Sequence, residues 1–202
     1  MNNFTRFFMG VAMSFATSQA LAADFSDPTW PCIQRKVAGL SMGLMWQNPT
    51  ENVALGDDLK GPVHDLAAAL TLQRVDMDAA KGMVADFTGR HGADRDVLQE
   101  VFAQVFHSVE SRRTRIMGGI GRVSTGQIEL AQRIDDARSE MDRLMALPEP
   151  DYDQVDKLEE QLDWDDRIYR ERQQTVSYLC ESPVLLEKRL FAIAQLLQEA
   201  AG

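Results

Sequence analysis

The sequence predicts an all-α fold: a long antiparallel coiled-coil helical hairpin on a small helical base. Three observations predict it. Phe102, Phe106, Val109, Arg113, Ile116, Ile120, Val123, Gln127, Leu130, Ile134, Ala137, Met141 and Leu144 follow one another by alternate steps of four and three. After Pro148-Glu149-Pro150 the rhythm resumes as Val155, Leu158, Leu162, Asp165, Tyr169, Arg172, Val176 and Leu179. A seam of period 3.5 kept this long is the mark of a coiled coil. Finally, no stretch alternates apolar and polar residues as a strand would.

The elements follow in order. Residues 1–22 read as a signal peptide. Arg6 supplies the positive start, Phe7 to Phe15 a short apolar run, and Ala20-Leu21-Ala22 a small-residue cleavage pattern. The mature chain then starts at Ala23 or Asp24, in the periplasm or outside the cell, with an uncleaved anchor as the alternative. The remaining 23–202 read as one domain: a base of short helices over 23–93, the hairpin over 94–181 and a C-terminal helix over 183–202. Asp27-Pro28-Thr29-Trp30-Pro31-Cys32 is irregular, because two prolines interrupt it. A short helix is expected from Ile33 to about Met45, ended by Asn48-Pro49. Another spans 57–73 behind Asp57 or Pro62, with Leu66, Leu70 and Leu72 apolar. Asp76 caps a third through Phe87, with Met77, Ala80 and Val84 on its apolar face, and Gly89 and Gly92 close it. Asp94 opens the long hairpin helix. Pro183 stands at the expected first turn of the last helix, where its missing N–H is tolerated, and Leu186, Leu190, Ile193 and Leu197 line that helix.

A turn near 147–152 sets the facing pairs: Leu144 with Val155, Met141 with Leu158, Ala137 with Leu162, and Leu130 with Tyr169. Gln127 then faces Arg172, and Asp165 faces Ile134 with Arg133 and Arg138 as partners. Polar residues in such a seam fix register at some cost in stability. Gly118, Gly119 and Gly121 interrupt the first hairpin helix, each costing about 1 kcal/mol against alanine. One reading breaks the helix there and caps a new one with Ser124 and Gln127. The favoured reading keeps it continuous, because the seam holds its phase; small residues then make room for the Cys32 segment crossing near Gly119 and Cys180.

Cys32 and Cys180 are the only cysteines. In an oxidising compartment they pair most simply as a disulfide, worth up to about 5 kcal/mol in the chain-entropy picture. No Cys-x-x-Cys supports a redox-active pair. The formal charge is −10, and removal of residues 1–22, which hold Arg6 and no acid, makes it −11. That argues against nucleic acid and against an anionic membrane surface, and no segment after the signal is suited to membrane insertion.

Charge is segregated. Residues 140–166 hold eleven acids and two bases, Arg143 and Lys157. Glu149, Asp151, Asp153, Asp156, Glu159, Glu160 and Asp163 form an acidic hairpin tip, read as a docking end for an unidentified envelope or periplasmic protein. A solvated coiled-coil surface is the plain alternative. A calcium loop fits poorly, because Leu162 stands where a bidentate glutamate is needed. His64, His91 and His107 lack the spacing of helical zinc or di-iron sites, and no cofactor or metal site is assigned. Met42 and Met45 beside Trp46 suit core filling better than Cu(I). Gly89-Arg90-His91-Gly92 lacks a phosphate-loop pattern, and no serine sits in a nucleophile elbow. No catalytic residue is assigned. The expectation is a non-enzymatic, exported adaptor that works by contact. The alternatives are a small-ligand or metal-binding bundle with its pocket in residues 24–92, and a holdase-type chaperone. The seam also allows a homo-oligomer.

Overall fold

The computed structural model describes residues 27–51 and 53–202; the signal-peptide expectation at 1–22 lies outside them. Four α-helices are present: α1 (Asp57–Thr71), α2 (Met77–His91), α3 (Arg95–Met145) and α4 (Tyr152–Ala201). No strand occurs among the described residues. α3 and α4 each run about 75 Å at 1.5 Å per residue and pack against each other as an antiparallel hairpin. None of the helices is long and apolar enough to cross a membrane.

Side-chain caps start three of the helices. Asp76 accepts from the Ala79 amide at 2.8 Å, and Asp94 accepts from Asp96 and Val97 at 2.9 and 3.1 Å. Asp151 accepts from the Gln154 amide at 3.2 Å. Each satisfies amides that the first helical turn leaves without partners. Gly92 ends α2 at φ 85°, a left-handed backbone that glycine adopts without strain.

The root of the hairpin is the core. Val63, Leu66 and Leu70 of α1, Ala80, Val84 and Phe87 of α2, Leu98, Phe102 and Val105 of α3, and Leu186, Leu190, Ile193 and Leu197 of α4 are buried in one cluster. Farther out, Leu130, Ile134 and Ala137 of α3 pack with Leu162 of α4, flanked by Met141, Leu158 and Tyr169. Both members of three expected pairs, Met141 with Leu158, Ala137 with Leu162 and Leu130 with Tyr169, fall in this one cluster.

The glycines do not break α3, which is continuous from Arg95 to Met145. The N-terminal segment crosses it as expected, with Cys32 packed against Met117, Ile120 and Cys180, but the glycine that faces it is Gly121 rather than Gly118 or Gly119. A Cβ on Gly121 would lie 3.8 Å from the Thr29 carbonyl oxygen, whereas one on Gly118 or Gly119 would meet only the Arg122 side chain.

Two expectations are overturned. No α-helix spans Ile33 to Met45; the segment is irregular, with bends at 33–34 and 38 and a 3₁₀ turn at Met42–Leu44. Ile33 and Leu44 are 86% and 84% exposed, so their apolar spacing reflects no buried helical face. The segment is instead anchored by the buried Trp30, Cys32 and Trp46. Nor does a separate helix begin at Pro183, because α4 runs through it. An interior proline costs about 3 kcal/mol. Here α4 is held on both sides of it, by Cys180 below the crossing segment and by the buried run from Leu186, and tertiary packing outweighs propensity.

Candidate functional site

Two regions of the hairpin stand out. The first is its root half, where residues 27–50 form a strap that runs antiparallel to α3 and fills the groove between α3 and α4. The strap's main chain is gripped by side chains. Ser124 Oγ donates to the Pro28 carbonyl at 2.7 Å, and Arg113 Nη2 to the Val37 carbonyl at 2.7 Å. Glu110 accepts from the Leu40 amide at 3.2 Å. Gln99 clasps Thr50 from both sides, accepting from its amide at 2.8 Å and donating to its carbonyl at 2.7 Å. Gln198 of α4 does the same across Met45 and Gln47, at 3.1 and 3.0 Å. Trp46 stacks on Phe102 with ring centroids 5.4 Å apart.

The sulfurs of Cys32 and Cys180 lie at disulfide distance, with Cα atoms 5.5 Å apart. Trp30, Met117 and Ile120 enclose them, and Gln34 donates to the Cys180 carbonyl. At the strap's start Asp27 accepts from the Lys36 ammonium at 2.7 Å and from the Thr29 amide and hydroxyl at 2.9 and 2.6 Å. The Lys36 hydrogen bond, then those from Thr29, pull the Asp27 carboxyl down to about 2.

The second region is the free end. Pro148-Glu149-Pro150 lies in the connection between α3 and α4. Glu149, Asp151, Asp153, Asp156, Glu159, Glu160 and Asp163 are all exposed. Asp153, Asp156, Glu160 and Asp163 follow helical spacing and line one stripe of α4, with Glu159 beside it. Asp151 stands apart, because its carboxylate caps α4. Nearby, Arg143 forks onto Glu140 at 2.6 and 2.7 Å and lowers that carboxyl's pKa. Tyr152 and Trp164 are both 62% exposed at this end, aromatic surface that the charge count alone did not single out.

The seam's polar residues are partly rearranged. Gln127 donates to the Tyr169 carbonyl at 3.0 Å, while Arg172 approaches Gly126, where a Cβ would lie 4.0 Å from its guanidinium. Asp165 is buried and has Arg133 at 3.8 Å; Arg138 turns to Asp166 at 3.1 Å. Arg113, a seam residue given no role from sequence, is 2% exposed and donates to Glu187 at 2.6 Å. Its signal was an arginine on an otherwise apolar seam, but its partners come from distant parts of the chain.

Met42 and Met45 pack against the root core beside Trp46. Between α1 and α2 lies a depression of about 430 Å³, with Asp65, Asp86, Arg90 and His91 on its rim. Among the described residues, no three His, Cys, Asp or Glu side chains gather in a way that could hold a metal. No protein family, no curated protein and no solved structure matches this chain.

Proposed function

We propose that this chain is an exported, non-enzymatic interaction protein whose acidic hairpin end docks a basic protein of the cell envelope. The observation that carries this reading is the one-sided charge at the free end: eleven acids against Arg143 and Lys157 over residues 140–166, with the acidic stripe of α4 exposed. Solubility alone would be served by mixed charge; a single sign steers and selects an oppositely charged partner. Tyr152 and Trp164 add amphipathic contact area of the kind enriched where proteins bind one another. The cysteine pair supports an oxidising compartment, and the strap gives the hairpin a fixed root from which to present its end.

The test is a variant carrying Asp153→Asn, Asp156→Asn, Glu159→Gln, Glu160→Gln and Asp163→Asn, with Asp151 retained because it caps α4. Crosslinking mass spectrometry in the native envelope should join residues 149–160 of the unaltered protein to one reproducible basic partner. The variant should keep its helical signal and lose that crosslink. Equal capture by both proteins sinks the docking reading.

A further inference from the structure

The groove that the strap fills does not end with the strap. Above Pro31 it continues toward the free end as an open channel of about 400 Å³. Ser124, Gln127, Ile128 and Ala131 line it from α3, and Tyr169, Gln173 and Val176 from α4. Pro31 of the strap also belongs to the lining. Ile128 is 48% exposed there.

We propose that this channel binds an extended, uncharged polypeptide segment of a partner protein, gripped by its main chain as the strap is. Three features carry the proposal.

The first is continuity. Ser124 already bonds the Pro28 carbonyl and also lines the channel, so a new segment would extend an existing interface along the same two helices.

The second is chemistry. Gln99 and Gln198 each hold strap main chain by accepting from one amide and donating to one carbonyl. Three more glutamines, Gln127, Gln132 and Gln173, line the channel, whose only described strap residue is Pro31. Gln127 donates to the Tyr169 carbonyl and Gln132 to Asp136; the Gln127 oxygen is buried without a partner, a cost relieved when the side chain turns to meet a donor in the channel. Asp135 is the only charged residue of the lining, which suits an uncharged segment with small apolar side chains against Ile128, Ala131 and Val176.

The third is length. From Ser124 to Asp135 the α3 wall rises about 16 Å, the span of roughly five extended residues. A second copy of this chain is a poor occupant. Its one long non-helical stretch among the described residues, 27–50, is already bound to its own hairpin. This proposal stands apart from the acidic end, because it concerns a different face and an uncharged ligand.

The probe is a phage-displayed library of random decapeptides selected on the full-length oxidised protein, followed by fluorescence polarisation of the enriched peptides. Uncharged, apolar-rich sequences should be enriched. Their affinity should fall tenfold or more for Ala131→Trp, which fills the channel, and for Ile128→Glu, which charges it. Both positions have room, so the helical signal and unfolding midpoint should stay unchanged; the second variant keeps the test open if the first misfolds. The five-fold neutralised hairpin end should bind the same peptides as the parent does. Failure to enrich any peptide overturns the proposal, as does enrichment of peptides that bind all variants equally or that require the acidic end. A dimer abolished by Ala131→Trp also overturns it and gives the channel to a second copy.

Discussion

Arg113 Nε donates to Glu187 Oε1 at 2.6 Å from a guanidinium that is only 2% exposed. This single pair ties α3 to α4 where the strap passes over them. The same guanidinium bonds the Val37 carbonyl at 2.7 Å and has Glu110 at 3.7 Å, and Glu110 in turn accepts from the Leu40 amide. The strap is therefore held by a charge network as well as by the cysteine pair.

Arg113→Ala should lower unfolding stability by about 3 kcal/mol, because it strands two carboxylates and a main-chain carbonyl. The figure sits at the low end of the buried-pair range because Glu187 is 35% exposed. Arg113→Lys should recover little, since one ammonium cannot reproduce the planar fork that reaches Glu187 and Val37 together. Urea unfolding measures both. An unchanged midpoint for Arg113→Ala would show that water serves these groups as well as the guanidinium does.

What could be read from sequence divides along physical lines. The hairpin was legible because its information is local and repeated: each seam residue predicts the next, so errors cannot accumulate. Asp76 and Asp94 were legible as caps for the same reason. The strap was not. Val37 and Leu40 sit at helical spacing, but what fixes their conformation is Arg113, Glu110 and Cys180, far along the chain. Pro183 misled because helix propensity is local, while the packing that carries α4 through it is not. At the free end, composition revealed the excess of acid; it did not distinguish Asp151, committed to a cap, from its exposed neighbours.

Gly118 and Gly119 give a prediction in the opposite direction. Added Cβ atoms would meet only the flexible end of Arg122, at 3.5 and 3.9 Å. The double change to alanine should therefore raise stability by about 1.5 kcal/mol through helix propensity alone. Gly121→Leu should lose stability, because its side chain must displace the strap at Thr29. Thermal unfolding separates the two. No gain from the double alanine would mean that helix propensity does not set the cost of these glycines.

Asp27 sets a pH window for the strap's first turn. Its carboxyl titrates at about 2 in the folded chain, against an ordinary 3.8, because Lys36 and Thr29 hydrogen-bond its charged form. A depressed carboxyl contributes stability that is present above pH 3.8 and is lost as pH falls through 2. An NMR titration should place the Asp27 midpoint near the lower value, and the Lys36 and Thr29 resonances should move with it. Asp27→Asn should remove that shared transition. A midpoint near 3.8 would dissolve the pairing.

Asp165 is the weak layer of the outer hairpin. It is 8% exposed, and its counter-ion, Arg133 at 3.8 Å, is 62% exposed. Such a contact recovers little of the cost of taking a carboxylate from water. Asp165→Leu should therefore raise stability by about 1 kcal/mol, joining Leu162 to Tyr169 in an unbroken apolar seam. The same change should relax specificity, because a buried polar residue disfavours registers and oligomers that leave it unpaired. Urea unfolding and light scattering, run together, test both halves. A more stable chain that begins to self-associate fits a register pin. Loss of stability would instead make the Arg133 pair a net contributor, and the polar layer would then serve the fold rather than its uniqueness.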